Sequence, residues 1–349
     1  MKIEARDKTR TDQFDYELPP ELIAQEPLIE RDSSRLLVLN RRDGQLEHSS
    51  FKILPGYLDE GDLLILNNTR VFPARFIGKR RDTGGRIEIL LLRRLEDARW
   101  EVLCSPGKRA LPGTELIFGD GALSARVLEK TEPGGRVIVF SAKEPLNDVL
   151  HKLGQVPLPP YIKKQLDDHE RYQTVYASNE GSAAAPTAGL HFTPALFKEL
   201  EERGIKTAAL TLHIGVGTFR PVKDDYIEDH IMHSECYELS ASVAHKINST
   251  KEKGKRIVAV GTTCCRVLET LSDENGAIRE GQGETKLFIY PGYRFKTVDA
   301  LITNFHLPRS TLLMLISAFA GREDTLKAYN IAVEERYRFF SFGDSMLIV

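Results

Sequence analysis

Between Val71 and about Lys143 the chain carries six short runs with strand character: Ala74 to Lys79, Arg86 to Leu92, Trp100 to Cys104, Glu115 to Phe118, Ala122 to Leu128 and Arg136 to Phe140. Turns such as Asp82-Thr83-Gly84-Gly85 and Pro133-Gly134-Gly135 separate them, and no helical stretch interrupts them. Evenly spaced β-rich runs of this kind close into a small barrel. The flanking segments read as mixed α/β. Before the insert come a short helix around Pro20 to Gln25, a strand Leu36 to Leu39 with a hairpin turn at Arg41-Arg42-Asp43-Gly44, and an apolar strand Asp62 to Leu66. After it, the pattern predicts helices at Leu146 to Leu153, Pro194 to Arg203, Ser240 to Lys253, Thr263 to Leu271, Thr311 to Phe319 and Asp324 to Arg336. These alternate with strands at Ile205 to Leu212, Ile257 to Val260, Lys286 to Tyr290, Ala300 to Phe305 and Ser345 to Val349. The expected fold class is therefore α/β: a mixed sheet with covering helices, interrupted by an inserted small β-barrel. The expected domains are residues 1–70 with 144–349 for the α/β part and 71–143 for the barrel.

Charge sharpens this division. The 349 residues carry a formal net charge of only −2, which fits neither a polyanion-coating protein nor an acidic tail. Residues 71–143, however, hold 14 Lys and Arg against 9 Asp and Glu, so positive charge is concentrated on the expected barrel. A basic barrel suits a phosphate backbone as well as a merely solvated surface. The N-terminus, charged from Lys2 onward, lacks the apolar stretch of a secretory signal. The longest apolar region, Thr311 to Ala320, is far below the ~20 residues that span a bilayer. Four cysteines, two of them adjacent at Cys264-Cys265, match neither a disulfide framework nor paired metal ligands. These features imply a cytoplasmic protein with no membrane span and no metal.

In α/β sheets ligands sit beyond the carboxyl ends of the strands, so the residues gathered there matter most. Asn68, Thr69 and Arg70 follow one expected strand. Another is followed by His213 and the run Gly215, Gly217, Thr218, Phe219 and Arg220, where the glycines let a ligand approach the backbone. Gly261, Thr262 and Thr263 open a helix, with Arg266 one turn in as an anion contact. Asn304 and His306 end a further strand, and Thr187, Gly189 and His191 lead into a helix N-terminus. A single loop histidine is usually surface decoration, but His191, His213 and His306 all fall at such ends, with His233 and Glu235 nearby as a second acid–base pair. The run Phe339-Phe340-Ser341-Phe342-Gly343-Asp344 sets aromatics beside a carboxylate, with Phe342 and Asp344 as the candidates, which suits stacking and protonating a base or, equally, an aromatic core loop.

Several of these segments occur together in one order: Tyr16-Glu-Leu-Pro-Pro-Glu-Leu-Ile-Ala-Gln-Glu-Pro, Asn67-Asn-Thr-Arg-Val, Pro186-Thr-Ala-Gly-Leu-His-Phe-Thr, His213-Ile-Gly-Val-Gly-Thr-Phe-Arg-Pro-Val, Met232-His-Ser-Glu, Gly261-Thr-Thr, Asn304-Phe-His-Leu-Pro-Arg-Ser and Tyr337-Arg-Phe-Phe-Ser-Phe-Gly-Asp-Ser-Met. The ordered set resembles the S-adenosylmethionine:tRNA ribosyltransferase-isomerases of queuosine biosynthesis, from residue 16 to the end of the chain. Small departures are Cys264-Cys265, where a serine and an aliphatic residue are usual, and Cys236, where an aromatic is common. The resemblance implies transfer of the ribosyl group of S-adenosylmethionine to preQ1 in the tRNA anticodon. Adenine and methionine leave, and no added cofactor is required.

A sulfonium acidifies the neighbouring 5′ C–H, so this chemistry needs a base, an acid for adenine and donors for oxygens that gain charge. His191 or His213 is the expected base, His306 or Asp344 the expected acid, and His233 and Glu235 the reserve pair. Arg70, Arg220 and Arg266 are the expected anion contacts. Recognition of tRNA is expected to combine the basic barrel with a groove between the domains. A methyltransferase is the rival enzyme class, but the Gly-rich first strand-to-helix loop of that fold is missing here, where the chain has Asn67-Asn68-Thr69-Arg70. A non-catalytic RNA-binding module is the second rival, discriminated by whether ribose label, methyl label or neither enters tRNA.

Overall fold

A computed structural model describes residues 8–131, 134–164, 166–215 and 221–349. Gly217, Thr218, Phe219 and Arg220 lie outside the described residues. The chain divides into two compact units, Met1–Arg70 with Pro160–Asn179 and Ala185–Val349, and Val71–Pro159 with Glu180–Ala184.

The first unit is built on a nine-stranded sheet. Its order is β15 (Gly281–Thr285), β13 (Glu235–Leu239), β12 (Lys206–Leu212), β3 (Leu63–Asn67), β14 (Ile257–Val260), β16 (Ala300–Asn304), β17 (Ser345–Ile348), β1 (Arg35–Asn40) and β2 (Gln45–Ser50). Strands β12, β3, β14 and β16 are parallel to one another, whereas β13, β15 and β2 pair antiparallel to their neighbours. Every residue of β3, β14 and β16 is buried, as strands covered on both faces must be, and this accounts for their unbroken apolar runs. Helices α2 (Pro194–Glu202), α3 (Ala241–Glu252), α4 (Thr262–Leu271), α5 (Thr311–Ala320) and α6 (Arg322–Glu334) belong to this unit. The expected N-cap of α2 is observed: the Thr193 hydroxyl accepts from the Leu196 N–H at 3.1 Å and donates to Asp32 at 2.9 Å.

The second unit contains a closed barrel in the order β10 (Gly135–Ala142), β7 (Arg99–Ser105), β6 (Arg86–Arg94), β5 (Arg75–Arg80), β8 (Glu115–Phe118) and β9 (Leu123–Thr131), together with helix α1 (Leu146–Leu153). The mixed sheet and the barrel are the two expected components of the fold. Alternate residues of β6 point inward, and Phe76, Ile87, Ile89, Leu116, Phe118, Val127, Ile138 and Phe140 fill the interior. One charge is buried there. The Arg136 guanidinium donates to the carbonyls of Ala110 (2.6 Å), Gly135 (2.6 Å), Gly134 (3.1 Å) and Gly107 (2.8 Å), stitching two turns to β10. Strands β4 (Thr69–Val71) and β11 (Asn179–Ser182) pair with each other.

Two expectations are corrected. The helix around Pro20 to Gln25 is a single 3-10 turn, Pro20–Leu22, because the next residues bond to Phe339 instead: Ala24 donates to its carbonyl and Leu22 accepts from its N–H. No strand covers Lys286 to Tyr290. The strand here is β15, five residues earlier, a Gly-Gln-Gly-Glu-Thr segment with little apolar pattern that is held as an edge by its ladder to β13. Thr187–His191 forms a short 3-10 turn that leads into α2, as expected.

Trp100, the one tryptophan of the chain, lies in β7 and reports on the barrel. Replacing Arg136 by Met removes the donor from four carbonyls and is expected to lower barrel stability by about 2–3 kcal/mol. Urea unfolding followed by Trp100 fluorescence checks this, and an unshifted midpoint would contradict it.

Candidate active site

Because β12, β3, β14 and β16 run in one direction, their carboxyl ends share an edge of the sheet. Asn67, fully buried at the end of β3, cross-ties that edge. Its Nδ2 donates to the Leu212 carbonyl (3.0 Å) and to Thr263 Oγ1 (3.3 Å), while its Oδ1 accepts from the N–H groups of Leu212 (3.0 Å) and Thr69 (3.1 Å). A single side chain thus fixes the ends of two strands and the start of α4.

A cavity opens at this edge. It is lined by Ala185 to Ala188, Ile214, Gly261 to Thr263, Thr303 to Leu307, Ser310, Leu312, Tyr161, Phe340 and Ser341. Gly261 has φ +90° and donates to the Ile302 carbonyl at 2.8 Å, so the chain can leave β14 and turn at once into α4. Thr262 and Thr263 then present the first turn of α4, and Ser310, whose hydroxyl accepts from the Leu313 N–H at 3.2 Å, caps α5 at the same cavity. Two helix N-termini therefore face one space, an arrangement that favours an anionic group.

The expected histidines divide by environment. His306 lines the cavity, and burial in its packing lowers its pKa to about 3; its Nε2 meets Thr303 Oγ1 at 2.9 Å. The buried His191 ring stacks on Phe51, with centroids 4.9 Å apart. Its Nδ1 lies 2.7 Å from Ser34 Oγ and its Nε2 3.0 Å from Asn304 Nδ2. Burial, helped by the charges of Arg338 and Arg31, depresses it to about 3. His213, half-buried, meets Thr69 Oγ1 at 2.8 Å through Nδ1; burial lowers its pKa, with Glu238 opposing. Neither His191 nor His213 is among the cavity-lining residues.

Other expected residues serve different partners. Arg266 is buried in an ion pair with Glu235, which also accepts from the Gly215 N–H at 3.1 Å, so this guanidinium is committed to an internal carboxylate. Asp344 is buried too, accepting from the backbone N–H groups of Arg35 (2.9 Å) and Arg338 (2.8 Å). Burial raises its pKa against the pull of those bonds. Asn68 accepts from the Thr211 hydroxyl at 2.8 Å, Arg70 pairs with Glu170, and His233 is exposed. Gly189 is required by packing, since a Cβ there would come within 2.0 Å of the Tyr176 hydroxyl. Phe342 sits edge-on to Tyr172, 5.7 Å between centroids, and away from the cavity lining. Among the described residues there is no group of three or more His, Cys, Asp or Glu that could hold a metal ion.

The family model described as "Queuosine biosynthesis protein" matches residues 11–348. The chain belongs to this family. Among its relatives are proteins named S-adenosylmethionine:tRNA ribosyltransferase-isomerase. That of Thermoanaerobacter sp. (strain X514) is 56% identical over 97% of this chain and 99% of its own length. That of Acetivibrio thermocellus is 58% identical over 96% and 98%. A crystal structure of S-adenosylmethionine tRNA ribosyltransferase from Thermotoga maritima matches at 42% identity and TM-score 0.56, covering 97% of this chain and 100% of that one.

In this queuosine-family chain the cavity also uses Tyr161, which nothing in the sequence singles out, and Phe340 and Ser341 of the aromatic run. Phe340 and Tyr161 place their rings 4.7 Å apart on the cavity wall, and the Tyr161 hydroxyl is 2.7 Å from Ser341 Oγ. Of the three aromatics in that run the candidate Phe342 is not in the cavity lining, and Phe340 is the one that is, held at φ +70°. A bulky residue in the left-handed region is strained. Its carbonyl accepts from Asn304 Nδ2 at 3.2 Å and from the Gly343 N–H at 2.9 Å. Nothing in the sequence distinguishes one aromatic of Phe339-Phe340-Ser341-Phe342 from another until the loop conformation is known.

A histidine lowered in the folded state stays neutral there while its unfolded counterpart gains a proton near pH 6.5. Stability is therefore full above about pH 6.5 and falls as pH drops toward about 3. For the fully buried His191 the slope approaches about 1.4 kcal/mol per pH unit below pH 6. Urea midpoints measured from pH 7 to pH 5 should fall in the wild type and fall less steeply in His191→Gln. Parallel slopes would rule out His191 as a source.

Proposed function

We propose that this chain is a cytoplasmic enzyme that transfers and isomerises the ribosyl group of S-adenosylmethionine onto preQ1 at the wobble position of tRNA. Epoxyqueuosine-tRNA forms, with release of adenine and methionine. The observation that carries this reading is identity of 56–58% over nearly the whole chain to proteins named for that reaction, on a fold with a cavity at its strand ends. S-adenosylmethionine is consumed as substrate, and the reading needs no metal and no further cofactor. No helix among the described residues is long and apolar enough to cross a membrane.

The base must reach the acidified 5′ carbon; His191 and His213, the expected bases, are not in the cavity lining, whereas His306, expected as the acid, is. Its depressed pKa leaves the imidazole unprotonated and open to a proton, weakens it as a base, and makes the imidazolium a strong acid toward adenine. In this reading neutral His306 takes the 5′ proton, and the imidazolium then delivers it to the departing adenine. His213 is the second candidate base. The N-termini of α4 and α5 suit the methionine carboxylate, with Thr262 and Thr263 as hydroxyl donors. Arg266, already paired with Glu235, is better read as a support for the Gly215 turn than as an anion contact. We assign catalysis to residues 1–70 with 144–349 and tRNA backbone contacts to the basic barrel over 71–143.

S-adenosylmethionine labelled in the ribose, incubated with protein and preQ1-bearing tRNA, should transfer its label to tRNA with release of adenine. Methyl label entering tRNA instead would overturn the reading. His306→Asn should reduce adenine release about 100-fold or more, and undiminished turnover would remove it from the chemistry. Affinity for tRNA should fall between low and physiological salt; a salt-independent affinity would refute the backbone contacts.

A further inference from the structure

Asn304, 2% exposed at the end of β16, lines the cavity, and its Oδ1 has no hydrogen-bond partner. The orientation of its amide is set by chemistry. Nδ2 lies 3.2 Å from the Phe340 carbonyl and 3.5 Å from that of Asp344, and two acceptors demand the N–H₂ end. The third neighbour of Nδ2 is His191 Nε2 at 3.0 Å, which must then be the unprotonated ring nitrogen. The ring proton therefore sits on Nδ1 and is donated to Ser34 Oγ at 2.7 Å, and the serine hydroxyl is left to point at the Arg31 carbonyl, 3.5 Å away. Phe51, stacked on the imidazole, holds the ring in plane. Every donor in this chain is spent, and one acceptor, the buried Asn304 Oδ1, is left over on a residue that lines the cavity.

A buried carbonyl oxygen without a donor costs about 1–3 kcal/mol, and its place in a cavity wall fits a donor supplied by the occupant. The Tyr161 and Phe340 rings on the same wall suit a flat heteroaromatic occupant. We propose that Asn304 Oδ1 is a specificity-determining acceptor for an exocyclic amine of the purine-like base in the cavity, and that His191 is the positioning residue that aims it. This rests on the substrates proposed above, which offer two such bases, the adenine of S-adenosylmethionine and the 7-deazaguanine of preQ1. A role in positioning also explains why a histidine with both ring nitrogens engaged, and kept neutral by burial, stands beside the site.

The test is a set of double-mutant cycles between protein side chains and base amines, read as ratios of kcat/KM for adenine release by the full-length protein. One arm compares S-adenosylmethionine with its analogue carrying hydrogen in place of the 6-amino group. The other compares preQ1-tRNA with tRNA whose modified base lacks the 2-amino group. Wild type should discriminate against one of the two analogues by tenfold or more, which identifies the base that Asn304 reads. In Asn304→Leu that ratio should collapse toward one. His191→Leu should weaken the discrimination, while His191→Gln, which can still accept from Asn304 and donate to Ser34, should hold it within about threefold of wild type. If Asn304→Leu does not fold, the His191 pair carries the test through the same ratio. Discrimination unchanged in Asn304→Leu, or in His191→Leu where only that pair can be measured, overturns the proposal. Absence of adenine release by wild type would instead overturn the substrate reading on which it rests.

Discussion

Four parallel strands that end on the same edge of the sheet are the constraint on which the rest of the structure depends. Parallel pairing of β12, β3, β14 and β16 forces each following turn to leave from that edge, so segments far apart in sequence meet there. Asn67 makes the meeting rigid, because its amide joins the ends of β3 and β12 to the first turn of α4. The chemistry that the cavity can perform follows from that edge: two helix N-termini, a neutral histidine and an aromatic wall.

Burial decides the roles of the polar groups more than their identity does. His191 and His306 are both depressed to about 3, yet one has its ring nitrogens committed to Ser34 and Asn304 while the other lines the cavity. Arg266 and Asp344 look like anion and base contacts in the sequence, but each satisfies an internal partner: Glu235 for the guanidinium, the backbone of Arg35 and Arg338 for the carboxylate. Cys264 and Cys265, fully buried in α4, have their thiols pushed up by desolvation and serve as packing.

Much of the fold was legible where local pattern and tertiary demand agree. Helix Leu146–Leu153 and strand Ile257–Val260 stand where periodicity put them, and the six β-rich runs became the six barrel strands. What escaped was held by partners instead of by pattern. The polar β2, Gln45–Ser50, exists because β1 offers it an edge, and β15 because β13 does. In the site, strand-end residues could be read from glycines and histidines following apolar runs. The choice between Phe340 and Phe342, or between a cavity histidine and a buried one, depends on side-chain direction, which a one-dimensional pattern does not carry.

In the proposed function the strand-end cavity receives the sulfonium substrate. A crystal structure of the full-length protein with S-adenosylmethionine bound tests it most directly. The ligand is expected against Thr262, Thr263 and Asn304, with its 5′ carbon within reach of His306. Electron density for the ligand at any other place on the molecule, with this cavity empty, would contradict it.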